Sequence, residues 1–311
     1  MVHLVWFSPS NLSDPVVRTD AGSAALVACL RSLLQNCLLL DFSDYRFDDA
    51  IREQAEALPE AISKRVKVLL AQFAKRQRII RAVADDYSGK EDLELLAEQG
   101  TRLHLELVVL QINDPWDEIT TTIPRVSVVT YALSDFEAQR SEDAADRHFA
   151  DDAMPGSDFI NRFLVPFLRY SQRLDIVDGG LGQYYRGDYR HTIGCVVTAI
   201  SLNCWFRDEL KVTLHCWRGD GKVANNIARD VAAAAAQCGL DGHVHVQFYG
   251  TGGGKSEFKH DRCLVSELGV INIGRGLDFV RERTGMLRDT TVGFGGPDAD
   301  TILRPYATLR S

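Results

Sequence analysis

The residues best placed to do chemistry in this 311-residue chain fall in one run, residues 255–279, KSEFKHDRCLVSELGVINIGRGLDF. His260, Asp261 and Arg262 head an apolar stretch, and a short polar turn at Ser266-Glu267 separates it from a second one, residues 270–273. The second stretch ends in Gly274-Arg275-Gly276 and then Asp278. Two short strands joined by a tight turn set His260 beside the outgoing Gly-Arg-Gly corner. An imidazole, guanidinium groups and glycine amides then surround one point, which is chemistry suited to phosphate. In that reading His260 is the nucleophile and forms a phosphohistidine, and a second histidine protonates the leaving oxygen before water completes hydrolysis. Arg262 and Arg275 stabilise the charge on the phosphoryl oxygens. Lys255 and Lys259 are auxiliary phosphate-binding cations, and Gly274 and Gly276 offer backbone amides. The scheme needs no metal and no other cofactor. The plainer alternative is that His260 and Arg262 simply hydrogen-bond the hairpin together.

The string HDR at 260–262, Gly269 and IGRGLDF at 273–279 resembles the phospholipase-D-like C-terminal domain of MIT-domain (microtubule interacting and trafficking) proteins and their bacterial relatives. The similarity extends back to FLVPFLRYSQRLDIVDG, residues 163–179, which is similar to that domain's opening helix and first strand. It covers roughly the last half of the chain. The resemblance implies a mixed sheet flanked by helices and a metal-independent phosphodiesterase, here a nuclease acting on nucleic acid or another phosphodiester. With a single motif per chain, it implies a homodimer whose twofold axis supplies a second His260. His191 and His215 are the in-chain alternatives. The wider superfamily carries Lys where Arg262 stands, Asp where Glu267 stands, and a Ser-x-Asn that is missing after Gly274. A non-catalytic module that binds a phosphorylated surface or a partner protein, as the resemblance to the MIT-domain proteins implies, is therefore the second expectation.

Composition bounds the rest. The length suits two domains, and 45% hydrophobic with 25% charged residues is the composition of an ordinary globular protein. Nothing approaches the 18 or so consecutive apolar residues of a membrane span. The opening MVHLVWFSPSNLSD has neither the basic start nor the apolar core of a secretory signal. Seven cysteines without close pairs fit reduced thiols, so a cytoplasmic location is expected. The net charge of −8 excludes a global basic field that would draw the chain to nucleic acid or lipid. Any such attraction must be local, and cations do crowd residues 255–283.

The fold class expected is α/β in two domains. Residues 1–145 alternate strands (3–7, 37–40, 103–112, 126–133) with helices (21–35, 46–57, 60–84), match no family and offer a surface for a protein partner. Residues 134–156 are polar and acidic and read as the linker. Residues 157–311 begin with a helix over 157–170. Strands over 174–177, 211–217 and 243–249 then alternate with helices over 192–206 and 221–237, and the hairpin follows.

Three other sites are weaker. TGGGKS at 251–256 lacks the glycine a P-loop requires at 249, where Tyr249 stands, and precedes a strand rather than a helix. It reads as a flexible loop beside His260. His243 and His245, with Cys238 nearby, lack a further zinc ligand in sequence. Asp41, Asp44, Asp48 and Asp49 would bind magnesium only if Asp85, Asp86 and Asp114 converged on them, and carboxylates at a strand-to-helix transition are ordinary helix caps.

Overall fold

The chain folds as two compact units, Val2–Asp143 and Ala144–Ser311. The computed structural model describes residues 2–41, 46–81, 96, 100–111, 122–218, 220–250, 262–295 and 303, without the side chains of 46–49 and 144.

The first unit follows from strands that are apolar throughout. HLVWF and CLLLD, strands β1 (His3–Phe7) and β2 (Cys37–Asp41), are buried at every position, as the central strands of a parallel sheet covered on both faces must be. Between them α1 (Asp20–Asn36) starts where the Thr19 hydroxyl accepts from the Gly22 amide. It buries Leu26, Leu30, Leu33 and Leu34 on one stripe. After α2 (Arg46–Glu56) and α3 (Glu60–Lys75) come β3 (Ile79–Arg81), β4 (Leu107–Val109), β5 (Arg125–Val126) and α4 (Asp135–Ala144). The sheet order is β3-β2-β1-β4-β5, parallel at every pairing. The winding reverses between β1 and β4, the crevice where doubly wound sheets take ligands. Here Asn11 Nδ2 crosses that crevice, donating to Ser8 O at 2.9 Å and Val109 O at 2.7 Å.

Two sequence expectations change in this unit. The helix expected to reach residue 84 ends at Lys75, Gln77 takes a left-handed φ of 54°, and the chain leaves as β3. Helical spacing loses there to sheet pairing, because the Arg78 carbonyl accepts from Leu39 N and Ile80 is buried beside β2. The strands expected over 103–112 and 126–133 shrink to β4 and β5, with a 3-10 turn at Tyr131–Leu133.

The second unit is built on a seven-stranded mixed sheet in the order β6-β12-β11-β10-β7-β8-β9. Its members are β6 (Arg147–Phe149), β7 (Arg173–Asp178), β8 (Lys211–Trp217), β9 (Val244–Tyr249), β10 (Arg262–Ser266), β11 (Gly269–Ile273) and β12 (Thr290–Gly295). β7, β8 and β9 are parallel, and the other pairings are antiparallel. α5 (Leu181–Tyr184), α6 (Gly187–Asn203) and α7 (Gly221–Gln237) complete the alternation. Ile176, Val212, Leu214 and Val244 meet Ile193, Val196, Val197 and Val231 of α6 and α7 on one face. On the other face Val177, Trp217, Tyr249, Cys263, Val265 and Val270 cluster with Leu303.

The division between the two units falls inside the polar stretch 134–156, and each part of that stretch belongs to one of them. Its first part is α4, and its later part supplies β6, which pairs with β12 and thereby belongs to the second sheet. A single apolar residue is enough to seat it, since Phe149 packs against Phe159 and Phe163 with ring centroids 5.6 and 5.2 Å away. The helix expected over 157–170 runs as Gly156–Phe159, a π turn Ile160–Leu164, and Val165–Leu168; Pro166, which has no N–H to donate, follows the wide turn directly. The helix expected to start at residue 192 starts at Gly187, preceded by α5. Among the described residues no helix is long and apolar enough to cross a membrane, and no disulfide joins the cysteines.

α5 rests directly on the backbone of β8. A Cβ added at Gly182 would stand 1.7 Å from the Trp217 carbonyl oxygen. Gly182→Ala must therefore push α5 off the strand and is expected to lower stability by about 1–3 kcal/mol in urea unfolding. An unchanged midpoint would mean that α5 is not held against β8.

Candidate functional site

The sheet alternation that buries apolar residues also aims one polar group. Asp178 ends β7, and Arg262, which begins β10, stands opposite it in register, so both side chains leave on the helix-covered face. β11 hands over to Gly274-Arg275-Gly276 at the same end of the sheet. Ligands of open α/β sheets bind beyond the carboxyl ends of parallel strands, and β7 ends here.

The Asp178 carboxylate is fully buried. Its Oδ1 accepts from the amides of Gly180 at 2.8 Å and Leu181 at 3.2 Å, and its Oδ2 accepts from Leu277 at 2.6 Å. Gly276 passes over it with φ +85°, and a Cβ there would come within 2.4 Å of Oδ2. Only glycine satisfies both conditions. Burial pushes the Asp178 carboxyl up to about 6, against the downward pull of the Leu277 and Gly180 amides and of Arg262, with Asp278 adding to the rise.

Beside this knot lies a cavity of about 450 Å³. Arg262 and Arg275 line it from the hairpin side, Tyr184, Arg186 and Tyr189 from α5 and α6, and His148, Thr290 and Thr291 from β6 and β12. Arg262 Nη1 donates to the Gly274 carbonyl at 3.0 Å. Asp278, buried at the cavity wall, organises the other cations. Its Oδ1 is 3.4 Å from Arg275 Nε, and its Oδ2 is 3.6 Å from Arg186 Nη2 and 3.3 Å from Arg288 Nη1. The Nε donor of Arg262 is buried without a hydrogen-bond acceptor among the described residues, and that of Arg275 has only the 3.4 Å ion-pair contact to Asp278. The guanidinium groups that line the cavity give it a local positive character suited to an anion.

Of the residues singled out in the sequence, Arg262, Gly274 and Arg275 line this cavity together. The glycine amides serve a different purpose from the one expected: Gly274 N donates to Thr291 O and Gly276 N to Ile273 O, so both are used in closing the corner. His260, Lys255 and Lys259 lie outside the described residues, as do Asp261 and the rest of TGGGKS. His215 does not reach the cavity, because it sits on the opposite face of the sheet, bonded to Asp175 Oδ1 and Tyr249 Oη at 2.7 Å each. His191 Nε2 lies 3.7 Å from the Cys195 thiol on α6 and does not line the cavity. The histidine that does line it is His148, 3.9 Å from Asp289 Oδ1, in a stretch with the composition of a linker. Arg186 falls in a stretch with the pattern of a loop. Nothing local in the sequence marks either; their role arises from strand pairing and helix placement.

The residues of the metal-binding alternatives are described only in part. Asp41 ends β2 buried, 3.9 Å from Arg81. Asp44, Asp85, Asp86, Asp114 and the side chains of Asp48 and Asp49 lie outside the described residues. His243 bonds the Leu210 carbonyl at 2.9 Å, and the Cys238 thiol lies 3.6 Å from the Thr198 hydroxyl. Among the described residues no group of three or more His, Cys, Asp or Glu is arranged to hold a metal ion. The sequence matches no protein-family model and no curated protein.

The environment of Asp178 has a pH signature. Its value of about 6 exceeds the ordinary 3.8, so the native state holds the proton more tightly than the unfolded chain. The sign is therefore destabilising as pH rises. The penalty is absent below about pH 4, grows through the interval up to about 6, and reaches roughly 3 kcal/mol above it. Asp178→Asn cannot ionise and is expected to lose this component, apart from a constant offset for one lost acceptor. Urea unfolding of both proteins across that interval checks this. A wild-type-minus-variant difference that stays the same on both sides of it would contradict the assignment.

Proposed function

We propose that the second unit is a phospholipase-D-like phosphodiesterase that hydrolyses nucleic acid. The observation that carries the reading is the convergence of Arg186, Arg262 and Arg275 with His148 on one cavity, two residues along the chain from His260. The resemblance of HDR and IGRGLDF to the phospholipase-D-like domain supplies the nucleophile. His260 attacks phosphorus, forming an N–P bond as the P–O bond to the leaving group breaks. Protonated His148 gives its proton to the leaving oxygen. Water then attacks phosphorus, giving its proton back to His148, and the N–P bond breaks to release the phosphomonoester and free His260. Arg262 and Arg275 carry the charge of the equatorial oxygens. With His148 as the acid, one chain holds both histidines, and a twofold dimer is not needed to complete the site. The first unit is then free to dock a protein partner.

A second reading, a non-catalytic module for a phosphorylated surface or partner, is favoured by one observation. Arg186 and Arg275 already face Asp278, a buried carboxylate that opposes a second anion. Such a site binds phosphate by exchange of partners and has no evident use for a nucleophile.

Rates on a bis-aryl phosphodiester and on single-stranded DNA separate the two. His260→Ala is expected to lower the rate by several orders of magnitude. Arg262→Ala is expected to lower both rate and affinity, by about ten- to a hundredfold. His148→Ala is expected to cost about a hundredfold on DNA and much less on the aryl ester, whose leaving group departs without a proton. A folded His260→Ala protein hydrolysing at the wild-type rate ends the nuclease reading. No hydrolysis in the wild type, with parallel loss of phosphate affinity in the His260 and Arg262 variants, establishes the binding module.

A further inference from the structure

Next to the first cavity lies a second, of about 310 Å³, and Arg186 lines both. The second is formed where α6 begins: Arg190 comes from its first turn, Asn226, Arg229 and Asp230 come from α7, with Arg229 paired to Asp230 at 3.0 Å, and Glu282 closes it. The N-cap residue Arg186 makes no side-chain cap bond, and Gly187, the first residue of α6, lines this cavity. An anion already rests there, and it belongs to the protein. The Glu282 carboxylate accepts from Arg190, and a Cβ added at Gly187, the first residue of α6, would come within 1.8 Å of Glu282 Oε2. A carboxylate against a helix N-terminus and an arginine fills the position a phosphate oxygen would take. Tyr184, on the rim of the first cavity, is 62% exposed although it is a large aromatic. An exposed ring beside phosphate-binding arginines is how single-stranded nucleic acid is gripped without sequence preference.

We propose that the two cavities form one track for single-stranded nucleic acid. The scissile phosphate lies at Arg262 and Arg275, a neighbouring phosphate displaces Glu282 from Arg190 beside the Arg229–Asp230 pair, and a base stacks on Tyr184. This inference rests on the phosphodiesterase reading and names its substrate class. The single strand is favoured over duplex for two reasons. A paired base cannot leave its own stack for Tyr184. In addition, a chain of net charge −8 has no global basic field to hold a duplex, and the cations of the two cavities form a local set.

Fluorescence anisotropy with labelled oligothymidines tests it, using the full chain carrying His260→Ala so that probes stay intact. A dinucleotide reads the first cavity, and an octanucleotide reads the track. The octanucleotide is expected to bind at least about tenfold more tightly, with a steeper salt dependence. Tyr184→Ala is expected to lower octanucleotide affinity by about five- to a hundredfold, the range measured for base stacking. Arg229→Gln is expected to weaken the octanucleotide more than the dinucleotide. Glu282→Gln removes the resident charge and is expected to strengthen octanucleotide binding severalfold, the reverse of the effect of losing a merely structural ion pair. These side chains are exposed or half-exposed, and circular dichroism checks that the fold persists. Equal affinity for the two lengths, weaker octanucleotide binding by Glu282→Gln, or tighter binding of an octamer duplex would each overturn the track. Failure to bind even the dinucleotide would instead remove the phosphodiester reading on which it rests.

Discussion

One buried carboxylate organises the end of the second sheet where the cavity lies. Asp178 closes β7, and its two oxygens take the amides that begin α5 and the amide of Leu277 beyond the Gly-Arg-Gly corner. It thereby ties three chain segments to one point. The cost is the desolvation of an acid, visible in its raised proton affinity. Removing that acid would leave the amides it satisfies without acceptors, and a buried unpaired amide is expensive. The arrangement holds Arg262 at the cavity wall, because its partner in register and the carbonyl it donates to are both fixed by the same knot.

Several arginines around the cavity share ion-pair contacts with two carboxylates. Asp278 faces Arg186, Arg275 and Arg288, and Asp188 takes a further contact from Arg288 at 2.5 Å. Two consequences follow from such a network. The guanidinium groups are pre-positioned, so the phosphate of the proposed reaction would meet them with little conformational entropy left to lose. The same carboxylates also set a threshold for anions, because a weakly charged ligand cannot displace them. A phosphate, with more charge and more acceptor oxygens than a carboxylate, can compete with them.

The opposite face of the same sheet does a different job. Asp175, His215 and Tyr249 form a buried line across β7, β8 and β9, at 2.7 Å per contact. Burial pushes the Asp175 carboxyl up, yet His215 and Arg173 bring it below the usual range. The pleat separates this line from the cavity, since neighbouring residues of one strand face opposite ways. A fully bonded buried network of this kind specifies strand register more than it adds stability.

How much of this is legible in the residues varies with the distance over which each feature is decided. β8 and α7 have the bounds that local pattern predicts, because Lys211–Trp217 is a branched and aromatic run and Asp220 caps an alanine-rich helix through the Lys222 amide. The hairpin of β10 and β11 is legible for the same reason, and with it the placing of Arg262 and Arg275. The strand β6 is not, because Arg147–Phe149 has one apolar side chain in a polar stretch and exists through pairing with Thr290, Thr291 and Val292 far along the chain. His148 enters the cavity on that pairing alone. Arg186 enters because α6 starts at Gly187, five residues before its apolar periodicity begins. By itself the sequence determined the α/β alternation and the hairpin that carries Arg262, since those follow from side-chain period. Tertiary structure decided which cations and which histidine share the cavity and that the glycine amides close the corner. It also decided that Asp178 is the acid beneath it all, because burial and long-range pairing are properties of the folded chain.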